Sequence, residues 1–503
     1  MNVVLAFEAP YIDYHAFAPE IVLVTTFVAL VVVDVISERN RVYASAIAGV
    51  GLLAATVPIL TLAVAGGDRS MFGGAYEVDG FALVLKALFV VSGYVVVLMS
   101  TNYIAGGDYW EGEYYQLLVA AIIGMTVMAS ARDLITIFVA LELLSIPAYM
   151  LAAWRKRDPR SNEAGLKYYL MGVFASAVML YGMSLVFGIT GTTVLADIAV
   201  ALNERDLTGE PIIALGVVFV IVGFGFKVSA VPFHTWAPDT YEGAPTPITA
   251  FLSVASKAAG FVALLQLVFV AFFGASNIYQ PLFWILAALT MTVGNLAALG
   301  QTNIVRLFAY SSVAQAGFMI APLAVAGESL AARDLAISAV VVYLVIYAAM
   351  NLGAFAMIIA VARKTKSGEV SSYAGLFQYA PGLTVVMTVF LFSLAGIPPL
   401  AGWFAKFVIF RALVTPGSVP GYVLALLVGV NSVVALFYYA RIAQQMWMQP
   451  APEGVGEGPG AGIRVPVALT AALVICVVVT LVLGVAPGLV GRLGELAQLV
   501  VPS

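Results

Sequence analysis

Apolar runs of about 20 residues, bounded by polar, glycine or proline clusters, recur along the whole chain. A helix needs about that length of mostly apolar residues to cross the hydrocarbon core of a bilayer. The pattern predicts spans near 18–36, 42–65, 80–104, 114–130, 132–154, 164–189 and 211–231. Further spans follow near 246–273, 280–300, 303–326, 333–362, 378–415, 421–447 and 464–488. The expected fold is an all-α polytopic membrane protein with about 14 transmembrane helices.

Two of these spans are interrupted. Around Pro232 the run VPFHTWAP removes backbone donors and restricts the residue before each proline, so the helix must break. The block 211–273 is about 20 residues longer than two simple spans need, and a half-helix with a loop at membrane depth absorbs the surplus. Near residue 397, LAGIPPLAGWFAKF interrupts a long apolar stretch with two prolines flanked by glycines. The broken spans are the seventh and the twelfth, and an odd spacing turns the second copy upside down. Two inverted five-helix repeats are therefore expected, with the polar site at the breaks near the midplane. The implied organisation is 1–113 for helices 1–3, 114–273 for the first repeat (helices 4–8), 274–447 for the second (helices 9–13), and 448–503 for a C-terminal loop and helix 14.

Composition agrees with the pattern. Of 503 residues, 62% are hydrophobic and 10% charged, against about 25% charged in soluble domains. The net charge of -4 matters less than where the charges fall. The single cysteine, Cys476, excludes an internal disulfide, an iron–sulfur site or a Cys-based zinc site. The opening MNVVLAFEAPYIDYHAFAPE has no basic n-region, so the first apolar run is expected to stay as a membrane helix. Alternate loops hold Arg39 and Arg41; Arg155, Lys156, Arg157 and Arg160; Arg363, Lys364 and Lys366; and Arg441 and Arg464. The opposite loops hold only Arg69, Arg132, Arg205, Arg333, Arg411 and Arg492. The first set is thereby read as cytoplasmic, with both termini outside. The remaining basic residues, Lys86, Lys167, Lys227, Lys257, Arg306 and Lys406, fall inside predicted spans.

Those buried charges are the candidate chemistry. Glu142 is the only charged residue in Leu134–Trp154. A carboxylate at a helix centre costs about 2.5–3.5 kcal/mol on insertion scales, so it needs a cation, a hydrogen-bond partner or a proton. Lys227, just before the first break, is its expected partner. Separating the two would favour the neutral lysine and release a proton, the elementary step of a relay. A static pair that fixes helix packing is the plainer alternative. Lys257, deep in the eighth span, and Lys406, set among Trp403, Phe404 and Phe407, have no carboxylate within their own spans. His234, at the break between Lys227 and Lys257, titrates near neutrality and can bridge them.

Lys167 and Lys86 sit only a few residues inside their spans and can snorkel to the interface. Lys167 is kept as a relay candidate, whereas Lys86 reads as interfacial. Arg306 opens RLFAYSSVAQAGF, where a lipid-headgroup or capping role competes with function. Tyr343, Tyr347 and Asn351 form one helical stripe that can order water between Lys257 and Lys406, with packing as the alternative. Between Asn303 and Ala326 no acidic residue matches Glu142, so the two halves are chemically unequal.

VGFGFKVSAVPFHTWAPDTYEGAPTPITAFLSVASKAAGF, IVRLFAYSSVAQAGF and FSLAGIPPLAGWFAKF resemble the N-subunit family of bacterial NADH–quinone oxidoreductase, respiratory complex I. The resemblance covers nearly all fourteen spans. It implies a proton-pumping, antiporter-like membrane-arm subunit, a translocase driven by quinone reduction elsewhere in the complex. FMN, iron–sulfur clusters and quinone would belong to other subunits, leaving no cofactor in this chain. The implied partners are other membrane-arm subunits, especially M-type and K-type neighbours, with the lipid bilayer and protons but no nucleic acid. The implied place is the bacterial inner membrane.

Carried over by position, Glu142 looks like the family's fifth-helix glutamate and Lys227 like its paired seventh-helix lysine. Lys257 looks like the central eighth-helix lysine and Lys406 like the twelfth-helix lysine on the outlet side. Lys167 matches an ionisable sixth-helix position. A lysine in the twelfth span sets the chain apart from the M subunit, and its end at Ser503, without a long lateral helix, from the L subunit. Some antiporter-like subunits carry a lysine in the eleventh span, where this chain has the Tyr/Asn stripe, so water is expected to link Lys257 to Lys406. A subunit of a multisubunit cation/proton antiporter is the alternative reading. An inert scaffold is another, which the deep lysines make costly.

Overall fold

Hydrophobic length dictates most of the architecture. The computed structural model describes residues 11–36, 41–105, 111–451 and 462–500; Glu8, Arg39 and the loop 452–461 lie outside the described residues. The first helices are α1 (Ala18–Ile36), α2 (Arg41–Ala65) and α3 (Gly80–Ile104). Next come α4 (Glu111–Ser130), α5 (Leu134–Ala152) and α6 (Pro159–Thr190). A short hairpin, β1 (Arg69–Met71) with β2 (Tyr76–Val78), joins α2 to α3. Aspartates that punctuate the apolar runs act as helix caps. Asp79 accepts from the Ala82 amide at 2.8 Å, and Asp133 accepts from those of Ile135 and Thr136 at 2.8 and 3.0 Å.

Between the sixth and seventh spans the chain folds further. An amphipathic helix, α7 (Leu195–Glu204), buries Leu195, Ile198, Ala201 and Leu202 and keeps its polar side outward. At ten residues it is too short to cross the bilayer.

The seventh span breaks as expected. α8 (Pro211–Lys227) ends at Lys227, an irregular stretch carries Pro232, and the chain resumes as the short α9 (Trp236–Gly243). α10 (Thr246–Phe251) and α11 (Lys257–Gln266) form the eighth span, joined by a π-helical turn, Leu252–Ser256, and followed by another, Leu267–Ala271. From Pro247 to Ala271 every residue of this span is buried inside the protein.

The second half repeats the order. α12 (Ser276–Leu299), α13 (Ile304–Ile320) and α14 (Leu330–Thr365) precede the short α15 (Leu376–Tyr379). α16 (Pro381–Ala395) and α17 (Ala401–Val414) are the two pieces of the broken twelfth span, separated by Gly396 in the left-handed region (φ 91°) and the two prolines. α18 (Val419–Met448), α19 (Val467–Val485) and a terminal α20 (Pro487–Leu496) complete the chain. Among the described residues, twelve helices are long and apolar enough to span, and the two broken pairs bring the spans to fourteen.

Small residues let the helices approach closely, as apolar interfaces within lipid require. A methyl at Gly124 on α4 would lie 2.6 Å from the Leu144 backbone nitrogen on α5. A methyl at Gly294 on α12 would lie 2.6 Å from the Ala314 nitrogen on α13. Both contacts join residues 20 positions apart, at the same place in their halves. Loop contacts follow the parity of the spans. On one side Asn303 bridges Glu369, and the Thr246 amide donates to the Tyr103 hydroxyl; on the other, Tyr76 bridges Ala131 and Asp133 bridges Val194.

Candidate functional site

The breaks in the seventh and twelfth spans put helix ends, and the lysines near them, inside the protein. Lys227 closes α8 and is buried. Its Nζ donates to the Ser145 hydroxyl at 2.9 Å and the Tyr168 hydroxyl at 3.3 Å, and lies 5.7 Å from the centre of the Tyr168 ring. Gly260 on α11 leaves it room, because a methyl there would meet Lys227 Cγ at 3.1 Å. Glu142, half-buried on α5, accepts a hydrogen bond from the Ser176 hydroxyl at 2.6 Å.

The expected Glu142–Lys227 pair is therefore not a direct contact. Ser145 follows Glu142 by three residues on the same face of α5, and its hydroxyl takes the ammonium while Ser176 takes the carboxylate. Serine hydroxyls both donate and accept, so each of the two ionisable groups is held by a neutral partner.

Lys257 follows directly on the π-turn of the eighth span and is buried. Its Nζ donates to the Ser312 carbonyl at 2.7 Å and the Ser312 hydroxyl at 2.6 Å, both on α13. Single π-turns are frequent at functional sites, because the wider turn re-aims side chains and carbonyls. Lys406, on α17, donates to the Ala395 carbonyl at the end of α16 at 2.6 Å and lies 5.1 Å from the Phe318 ring centre. A cation at the C-terminal end of a half-helix meets both its free carbonyls and its dipole.

Between Lys257 and Lys406 the chain supplies a hydrogen-bonded bridge that the sequence did not disclose. Ser311, next to Ser312, pairs with the Tyr439 hydroxyl at 2.5 Å. Gln315, one turn further along α13, donates to Tyr439 at 3.4 Å and to the Leu394 carbonyl at 3.3 Å, and accepts from the Tyr343 hydroxyl. Leu394 and Ala395, which serves Lys406, are adjacent peptide units. The predicted aromatic stripe is thus divided. Tyr343 holds Gln315, Asn351 donates to Ser253 at 2.8 Å, and the buried Tyr347 hydroxyl has no partner among the described residues.

Three further expectations change. His234 makes no hydrogen bond with Lys227 or Lys257; its ring lies 6.4 Å from that of Tyr310, and its Nδ1 has no partner. The break turns it toward α13 instead of along the line of lysines. Lys167 is not a lone snorkelling lysine, because it pairs with Glu163 and Asp239, each at 2.6 Å. Asp239 in turn pairs with Arg306 at 2.8 Å, and Arg306 with Glu242 at 2.9 Å. Arg306 thus belongs to a network opening on a cavity of about 260 Å³, lined also by Arg160. Asp239 and Glu242 lie in the HTWAPDTYEGAP motif, one turn apart on α9, and spacing alone could have flagged them. Lys86, read as interfacial, is fully buried and pairs with Glu20 on α1 at 3.0 Å. Depth counted along one span could not reveal a partner on another.

A family model described as NADH:quinone oxidoreductase/Mrp antiporter, TM, matches residues 131–434. NADH-quinone oxidoreductase subunit N of Trichlorobacter lovleyi is 40% identical over 456 residues, covering 90% of this chain and 91% of that protein. A chain of respiratory complex I from Thermus thermophilus superposes with a TM-score of 0.76 at 32% identity, covering 94% of this chain and 98% of that one. A chain of the Mrp complex from Dietzia sp. DQ12-45-1b shares the fold, with a TM-score of 0.83 at 21% identity over 97% of each chain. Match length, identity and superposition agree: the chain belongs to the NADH:quinone oxidoreductase/Mrp antiporter transmembrane family, as an antiporter-like membrane-arm subunit of the subunit N type.

Proposed function

We propose that this chain moves protons across the bacterial inner membrane as part of NADH–quinone oxidoreductase. The observation that carries the reading is a line of four buried or half-buried ionisable groups, Glu142, Lys227, Lys257 and Lys406, each held by neutral hydroxyls or carbonyls. A charged lysine at such depth costs about 2.5–3.5 kcal/mol, and apolar residues would pack as well. Groups held only by neutral partners can lose and regain a proton without breaking an ion pair.

In this reading a proton passes from the Glu142–Ser145–Lys227 segment to Lys257 and Ser312, then by way of Gln315 to Lys406. Moving one charge against 100 mV costs about 2.3 kcal/mol, and the energy comes from redox chemistry on FMN, iron–sulfur clusters and quinone in other subunits. The loops rich in arginine and lysine face the cytoplasm, and both termini face outward. The matching contacts at Gly124 and Gly294 support a division into two inverted repeats, 114–273 and 274–447. Glu142 and Lys406 lie beside exposed apolar residues such as Ile146 and Phe407, where M-type and K-type neighbours would cover them.

Inverted membrane vesicles carrying the assembled complex test the reading. NADH-driven acidification should fall strongly in Lys227→Ala and Glu142→Ala at normal assembly. Unchanged acidification would sink the relay, and sodium-dependent antiport without NADH would support an antiporter instead.

A further inference from the structure

We infer that Glu20, Lys86 and Tyr76 form a second proton-transfer station, on the outward side of the membrane and outside the two repeats, fed from the eighth span through Gln266 and Ser130. This inference rests on the proton-pumping reading above. Glu20 and Lys86 are 1% and 0% exposed, yet their spans run through the apolar α1 and α3. The Lys86 ammonium lies 3.0 Å from Glu20 Oε1, donates to the Tyr76 hydroxyl at 3.0 Å and sits 5.0 Å from the Tyr76 ring centre. A pair this deep needs a reason, because an apolar replacement of the same volume would often be as stable.

The surroundings supply a direction. Tyr76 bridges Ala131, at the outward end of α4, through its backbone. Ser130, the preceding residue, has a buried hydroxyl without a partner among the described residues, and Glu20 Oε2 is in the same position. Gln266, at the end of α11, reaches the same end of α4, donating to the Met128 and Ala129 carbonyls at 3.0 and 2.8 Å. Its own Oε1 is buried and unpartnered. Buried polar atoms of this kind ordinarily bind water, and here they run from α11 to α1. Gln266 is nine residues from Lys257 on one helical span, about 14 Å at 1.5 Å per residue. The second π-turn, Leu267–Ala271, begins directly after it. A proton leaving Lys257 can pass along this edge to Tyr76 and Lys86, move from the Lys86 ammonium to the Glu20 carboxylate, and leave from Glu20 to water at the outer face. The Phe17 ring packs edge-on against that of Tyr76, 5.5 Å between centres.

Three variants are compared in the purified, assembled complex in proteoliposomes: Glu20→Leu/Lys86→Met, Gln266→Leu and, as reference, Lys257→Met. The double variant removes both charges together, so no lone buried charge unfolds the helices. The expected result is that the first two lower the protons moved per NADH oxidised, by no more than Lys257→Met does, because the Lys406 branch stays intact. If Lys257→Met lowers the ratio and the other two leave it at the wild-type value, the station is overturned while the pumping reading stands. If Lys257→Met also leaves it unchanged, the pumping reading falls instead. A purely structural pair would change only the yield of assembled complex, and that outcome also overturns the inference.

Discussion

Replacing Gln315 with leucine tests the bridge between the halves most sharply. Leucine has nearly the same volume but makes none of the three bonds by which Gln315 ties Tyr343, Tyr439 and the Leu394 carbonyl together. Hydrogen bonds between membrane helices average about 0.6 kcal/mol, so the three together are worth about 2 kcal/mol. If they hold the geometry of transfer, that amount corresponds to about thirtyfold in the rate of the step. The predicted outcome is normal assembly with a clear fall in either NADH turnover or protons moved per NADH, measured in proteoliposomes with and without an uncoupler. Wild-type turnover and a wild-type proton ratio in Gln315→Leu would refute the bridge and return the Lys257–Lys406 link to water alone.

Other perturbations follow from the same structure. Asp79→Leu breaks the buried pair with Arg132, 2.7 Å apart, and should cost about 3–5 kcal/mol; native gels should show little assembled complex, and a normal yield would contradict this. Gly124→Ala and Gly294→Ala each push a methyl against a neighbouring backbone nitrogen, so both should destabilise the complex by similar amounts, about 1–3 kcal/mol, and show it as a lower Tm; sensitivity at only one would argue against equivalent repeats. Asp239→Asn loosens ion pairs that are about one-third exposed, and such pairs are worth about 0–1 kcal/mol. Complex yield should therefore stay within about twofold of wild type, and a collapse would show that the network is structural.

The spans and both breaks were legible because bilayer thickness imposes a length and proline imposes an interruption, and both are local properties. Partnerships were not. Glu142 and Lys227 were matched as opposite charges, but the intervening Ser145 is neutral and lies one turn away on the same helix. Lys86 was judged by its distance along α3, whereas its partner Glu20 is on α1. Gln315 carries no charge, so nothing in its residue type marks it as the side chain that joins Lys257's neighbours to those of Lys406. Helix α7 escaped because ten amphipathic residues between two spans read as an ordinary polar loop.

Lys257 stands at the centre of the proposed proton path, between the Glu142–Lys227 end and Lys406. The most direct measurement is the ratio of protons moved to NADH oxidised by the purified complex in proteoliposomes, wild type against Lys257→Met. Methionine preserves the volume of a residue that is 1% exposed and leaves the Ser312 hydroxyl and carbonyl without their donor. The expected result is a fully assembled, quinone-reducing complex with a lower ratio. A Lys257→Met complex that assembles, reduces quinone and keeps the wild-type ratio would contradict it.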